Sequence, residues 1–135
     1  MKPETTEWVD KAEGDWTVAR REMAADDAVH NVVCFLAQQC AEKYIKAVLE
    51  EHGIPFPKAH DLVALLSLGG GLLAELDSRA EQLAHLSTFG IGARYPGVHA
   101  DRQAAEEAMA TAEEVRSIAR QNLGLVQPAT DQPQP

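Results

Sequence analysis

The stretch ARYPGVHADR, residues 93–102, holds an arginine and a histidine with four residues between them, Arg94 and His99. Histidine titrates near neutral pH, so His99 can take a proton and return it. Arginine stays charged and presents a planar fork of donors that matches phosphate oxygens, which gives Arg94 a role as phosphate stabiliser. The pair therefore suits proton transfer at a phosphate ester whose growing charge must be held. Tyr95, beside the arginine, offers a ring on which a base can stack. Each residue also has a plainer reading. Arg94 near a helix end meets the helix dipole, His99 is an exposed loop residue, and Tyr95 packs its ring while its hydroxyl reaches water.

Other polar residues read as structure. Asp61, after His60, can cap a short helix, with His60 hydrogen-bonding across the turn. His52 falls in the last turn of a helix, where a cation is favoured. Gln38, Gln39, Glu42, Lys43 and Lys46 lie on the polar side of one helical pattern. The first expectation for them is a solvated face with Glu42–Lys46 as an ordinary i,i+4 pair; the alternative is that they line a cleft between two copies. Glu106, Glu107, Glu113 and Glu114 read as a solvated face. The chain has no HExxH motif, and its cysteines have the wrong spacing for zinc, so neither metal nor cofactor is expected. Gly69–Gly71 lacks the Gly-Lys-Ser/Thr of a phosphate loop.

These residues need a frame, and apolar periodicity supplies one. Trp8, Ala12, Trp16, Ala19 and Met23 give a helix over 5–25, with Thr5 or Thr6 as N-cap. Val29, Val33, Leu36, Cys40, Tyr44 and Ala47 mark a second helix over 27–52. Val32, Phe35, Ala37, Ala41, Ile45, Val48 and Leu49 widen its stripe, so it should be largely buried. Asp26 or Asp27 can cap its start, Gly53 fits just past its end, and Pro55 and Pro57 forbid continuation. A short helix follows from Leu62 to Leu68, and a fourth over 72–89, with Ser78 and Glu81 at capping-box spacing. The loop from Gly90 to Ala100 leads to Asp101, an N-cap for a last helix over 102–123 with Ala105, Ala108, Ala112, Val115 and Ala119 inward. Residues 124–135 form a Pro/Gln-rich tail that reads as disordered. No stretch alternates with period two. The fold expected is all-α, an antiparallel up-and-down bundle of four to five helices, with one domain over 5–123.

Composition narrows the setting. The 135 residues are 45% hydrophobic but only 5% aromatic, which suits helix-on-helix packing. The formal net charge of −9 argues against a protein that coats nucleic acid, but not against a small local basic site. Cys34 and Cys40, six residues apart on a helix, are separated by about 9 Å of rise, too far for a disulfide. That fits a reducing cytoplasm. The N-terminus MKPETTEWVD lacks a signal-peptide core, and the uncharged run from Leu62 to Ala74 is too short to span a membrane.

Trp16, FLAQQCAEKYIKAVLEEHG (Phe35–Gly53), KAHDLVALL (Lys58–Leu66) and RYPGVH (Arg94–His99), in this order and spacing, resemble the HEPN domain family over about residues 5–123. The resemblance implies a helical bundle that pairs as a homodimer. It implies a metal-independent endoribonuclease whose Arg–x4–6–His signature falls on Arg94 and His99, with both protomers contributing to one cleft. His99 is then the general acid/base and Arg94 the phosphate stabiliser, with single-stranded RNA as substrate and Tyr95 as a substrate contact. The products are 2′,3′-cyclic phosphate and 5′-hydroxyl ends. Small stand-alone members are often the toxin paired with a minimal nucleotidyltransferase antitoxin. The alternative function is a non-catalytic HEPN module that binds a nucleotide or a nucleotidyltransferase partner. Some toxins carry, two residues after the histidine, a tyrosine that the partner adenylylates; here that position is Asp101.

Overall fold

The longest helix among the described residues becomes the centre of the fold. In the computed structural model, which describes residues 1–92 and 95–125, helix α2 (His30–Glu51) packs along most of its length against α1 (Pro3–Met23) on one side and α5 (Arg102–Asn122) on the other. A short α3 (Leu62–Leu68), a 3-10 segment (Ala74–Arg79) and α4 (Ala80–Ser87) close one end of the bundle. The architecture is all-α, and no strand occurs among the described residues. Arg94 and the stretch 126–135, most of the tail read as disordered, lie outside the described residues.

The core follows the apolar spacing. Ala12, Trp16 and Ala19 of α1, Val33, Ala37, Ala41, Tyr44, Ile45 and Val48 of α2, and Ala105, Ala108, Ala112, Val115 and Ala119 of α5 are all buried. The alanines on α1 and α5 let both helices approach α2 closely, so a core poor in aromatics still excludes water. Two helix ends are set by left-handed glycines. Gly53 (φ 69°) and Gly124 (φ 70°) each follow a helix. Beyond them Ile54 N–H donates to the Leu49 carbonyl at 2.9 Å and Leu125 N–H to the Arg120 carbonyl at 2.8 Å. This is the Schellman pattern, which satisfies carbonyls a helix end would leave open.

Several local expectations change. Helix α1 begins at Pro3 with Lys2 at the N-cap, not at Thr5 or Thr6. Proline in the first turn loses no bond there, since those N–H groups have no intrahelical partner. Thr5 instead lies buried inside the helix, and its hydroxyl donates to Glu51 at 2.9 Å. Helix α2 starts at His30, and neither Asp26 nor Asp27 caps it. The N-cap residue Val29 donates its N–H to the Glu22 carboxylate of the preceding helix at 2.8 Å. The fourth helix divides: residues 74–79 tighten into 3-10 geometry around buried Leu76, where Asp77 and Ser78 favour local backbone bonds over α-helix. Arg79 rather than Ser78 is then the N-cap of α4. Asp61 and Asp101 do cap α3 and α5, accepting from Val63 and Ala64, and from Ala104, respectively.

The buried stripe of α2 is narrower at its start than the apolar pattern suggests. Val29 is 53% exposed and Val32 42%. Asn31, between them in the sequence, bonds to the loop that carries the motif histidine.

Candidate functional site

The loop between α4 and α5 is built from both ends. On the α4 side, Thr88, Phe89 and Gly90 continue the turn, each N–H donating to a carbonyl three residues back. Phe89 is buried, and Gly90 presses on the side chain of Gln38. A Cβ at position 90 would lie 3.0 Å from Gln38 Cδ, so glycine lets the chain pass that close to α2. The chain then surfaces at Ile91, which is exposed. Tyr95 N–H donates to the Gly92 carbonyl at 3.1 Å, and Gly97 adopts φ 90°, a turn conformation that glycine permits. On the α5 side, Ala100 packs against the core and Asp101 caps the helix, its carboxylate accepting from Ala104 N–H at 2.8 Å.

His99 is exposed on this loop, and so is Tyr95, at 59%. The backbone on both sides of His99 is tied to one side chain. Asn31, in the first turn of α2, donates through Nδ2 to the Val98 carbonyl at 2.8 Å and accepts at Oδ1 from Ala100 N–H at 2.6 Å. Spacing in the sequence could not have singled out Asn31, because its partners lie 67 and 69 residues away.

The polar side of α2 is not solvated. Gln38, Glu42 and Lys46 are all buried, under the segment between α2 and α3 that carries Phe56 and His60. Glu42 Oε2 accepts from Lys46 Nζ at 2.9 Å, and Oε1 lies 2.9 Å from His60 Nδ1 and 3.2 Å from Gln38 Nε2. Gln38 Nε2 also donates to the His60 carbonyl at 3.0 Å, while its Oε1 accepts from Gln39 at 2.7 Å. Lys46 Nζ sits 5.4 Å from the Trp8 ring centre and 5.9 Å from that of Phe56, within cation–π range. Burial alone would raise the Glu42 pKa, but the bonds from Lys46, His60 and Gln38 outweigh it and hold the carboxyl below its ordinary range. Glu42–Lys46 is thus a buried, hydrogen-bonded pair, and its inner end, Gln38, is the surface on which Gly90 rests.

A second ionic group lies on another face of α2. Glu13 of α1 takes a bidentate pair of bonds from Arg116 of α5, at 2.6 and 2.7 Å. The Tyr44 hydroxyl donates to the same carboxylate and accepts from Arg120 at 3.1 Å. Glu13 is held below its ordinary pKa despite the opposing pull of burial, because Arg116 and Tyr44 bond to its charged form. Burial and the adjacent carboxylate push the Tyr44 phenol up. This network joins three helices. Both cysteines are free and buried. Burial pushes Cys34 up to about 11 and Cys40 further, so neither is set up as a thiolate nucleophile.

Among the described residues no group of His, Cys, Asp or Glu is arranged to hold a metal ion, and no helix is long and apolar enough to cross a membrane. A groove of about 560 Å³ runs between α4 and α5, walled by Arg79, Gln82, His85, Phe89, Glu107 and Thr111. His99 does not line it, and Arg79 is tied to Glu114 at 2.9 Å. His99 is exposed on the loop, outside this groove.

A family model described as HEPN domain matches residues 5–122. The crystal structure of TT1696 from Thermus thermophilus has the same fold, with a TM-score of 0.77 and 22% identity over 90% of this chain and 99% of that one. ST0689, described as an archaeal HEPN homologue, matches with a TM-score of 0.69 and 24% identity over 91% and 99% of the two chains. At these identities the two structures speak for the fold alone. No curated protein matches the chain.

Proposed function

Because the chain belongs to the HEPN domain family, we propose that it is a metal-independent endoribonuclease in which His99 is the general acid/base and Arg94 stabilises the phosphate. The observation that carries this reading is the place of His99: its side chain is exposed on the α4–α5 loop of a HEPN bundle, at the position of the Arg–x4–His motif. In the proposed reaction a histidine removes the 2′-hydroxyl proton of RNA, the 2′-oxygen attacks the adjacent phosphorus, and the P–O5′ bond breaks. The leaving 5′-oxygen takes a proton, giving 2′,3′-cyclic phosphate and 5′-hydroxyl ends. Arginine neutralises charge that builds on the phosphoryl oxygens, without a metal. Tyr95, exposed on the same loop, is the proposed stacking contact for a base.

The proposed working form is a homodimer, which brings two copies of Arg94 and His99 to one phosphate and so provides base and acid together. Exposed Val29, Val32, Ile91 and Tyr95, on the loop and the adjoining start of α2, support a covering copy there. A local cluster of arginines in such a cleft reconciles a chain of net charge −9 with an RNA substrate. Two buried free thiols fit a cytoplasmic location. A nucleotidyltransferase antitoxin is the proposed partner. Asp101 caps α5 and has no hydroxyl, so control by adenylylation at that position is unavailable to such a partner.

The test is cleavage of single-stranded RNA by purified protein in EDTA. The wild type should yield cyclic-phosphate ends, and H99A should lose at least about 100-fold in rate, the scale of a general acid–base contribution. Equal rates for the two proteins would refute the assignment and leave the non-catalytic partner-binding module as the better account.

A further inference from the structure

The bonds of Asn31 have a geometric meaning beyond tying a loop to a helix. The Val98 carbonyl belongs to the peptide unit that precedes the His99 Cα, and the Ala100 N–H to the unit that follows it. Asn31 holds both, at 2.8 and 2.6 Å, with one planar amide. Fixing the two peptide planes on either side of a Cα fixes φ, ψ and the direction of its Cβ. The imidazole therefore leaves the backbone along a set line, although its own surface is open.

The reference frame for that line is the packed centre of the bundle. Asn31 lies at the start of α2, whose N-cap residue is pinned by Glu22 and whose next turns are in the core. Ala100 is packed against the same core, and Asp101 immediately begins α5. An exposed histidine on an untied loop would sample many directions. Proton transfer requires the nitrogen within hydrogen-bond reach of the reacting oxygen, and misplacement by about 1 Å can cost on the order of 100-fold in rate.

We propose that Asn31 is a positioning residue for His99, aiming its imidazole by clamping the two peptide groups that flank it. The proposal rests on the ribonuclease reading for its kinetic consequence, but the clamp itself is measurable without RNA. N31D retains an acceptor for Ala100 N–H but sets a carboxylate oxygen against the Val98 carbonyl, so it keeps half of the clamp.

The experiment has two arms. In the kinetic arm, N31A should lower kcat for RNA cleavage tenfold or more with KM changed less than twofold, and N31D should fall between N31A and wild type. A residue that merely supports the fold would lower the melting temperature and leave kcat of the folded protein unchanged. In the second arm, amide exchange followed by NMR should quicken at least tenfold at Ala100 in N31A, while buried α5 amides such as Val115 keep their protection. Wild-type kcat in a folded N31A or N31D, or unchanged exchange at Ala100, overturns the proposal. If the wild type does not cleave RNA, the ribonuclease reading fails by itself, and the exchange arm alone decides whether Asn31 fixes the backbone at His99. N31L, which lacks both bonds at similar size, serves both arms if N31A does not fold.

Discussion

Replacing Glu42 with glutamine should destabilise the protein by about 3 kcal/mol at pH 7, almost wholly through Lys46. The side chain of Lys46 is 7% exposed and bonds to the Glu42 carboxylate at 2.9 Å. Glutamine keeps the size of the side chain but removes the charge, which leaves a buried cation without its counter-ion. Breaking such a pair typically costs about 3–5 kcal/mol. The low end applies here because Lys46 keeps the faces of Trp8 and Phe56, a contribution of about 0.5–2 kcal/mol at a desolvated site. For a chain of this size, about 3 kcal/mol corresponds to a fall of roughly 10 °C in melting temperature. Circular dichroism melts of wild type, E42Q, K46M and the double variant give the test as a thermodynamic cycle. The double variant should melt above E42Q, since an uncharged pair has no orphaned ion, with a coupling of about 2 kcal/mol between the sites. The pH dependence has a definite sign. The folded-state pKa of Glu42 is lowered from its ordinary 4.5, so its contribution is fully present above that value and is lost as pH falls through the lowered one. The gap between wild type and E42Q should therefore be flat near neutrality and close only in acid. Melting of E42Q within about 2 °C of wild type at pH 7, or a double variant no more stable than E42Q, would refute the role given to the pair.

Two further substitutions test the ends of the motif loop. G90A places a methyl 3.0 Å from Gln38 Cδ, against a side chain already bonded to His60, Glu42 and Gln39. It should cost about 1–3 kcal/mol, the range for overpacking, as seen in urea unfolding. D101A removes the side-chain acceptor from Ala104 N–H and should cost about 1 kcal/mol by the same measurement, with amide exchange rising in the first turn of α5.

The bundle was legible because its helices carry one apolar stripe each. Trp16 on α1 and the alanine ladder of α5 point inward at helical spacing, and Gly53 and Asp101 punctuate the ends as their backbone chemistry requires. The polar side of α2 was not legible. Periodicity tells which face of a helix is apolar, but not whether a later segment will cover the polar face. Here residues 54–61 do so, turning Glu42, Lys46 and Gln38 from expected solvated groups into interior ones. The motif loop was visible as Arg94 and His99 at a recognisable spacing, but what holds it was not. Asn31 is one polar residue in a first turn, and nothing local distinguishes it from a surface asparagine. Val29 and Val32 show the converse: apolar residues in register with a buried stripe that nonetheless surface.

The two fastenings of the motif loop, Asn31 and Gln38, both stand on α2, two turns apart and thus about 10 Å along one axis. A span moored twice to a single beam takes its bearing from that beam. Exposed Ile91 and Tyr95 can accordingly be replaced over generations at little expense to the folding of the bundle. Descendants of such a chain can vary this exposed face while inheriting the same scaffold.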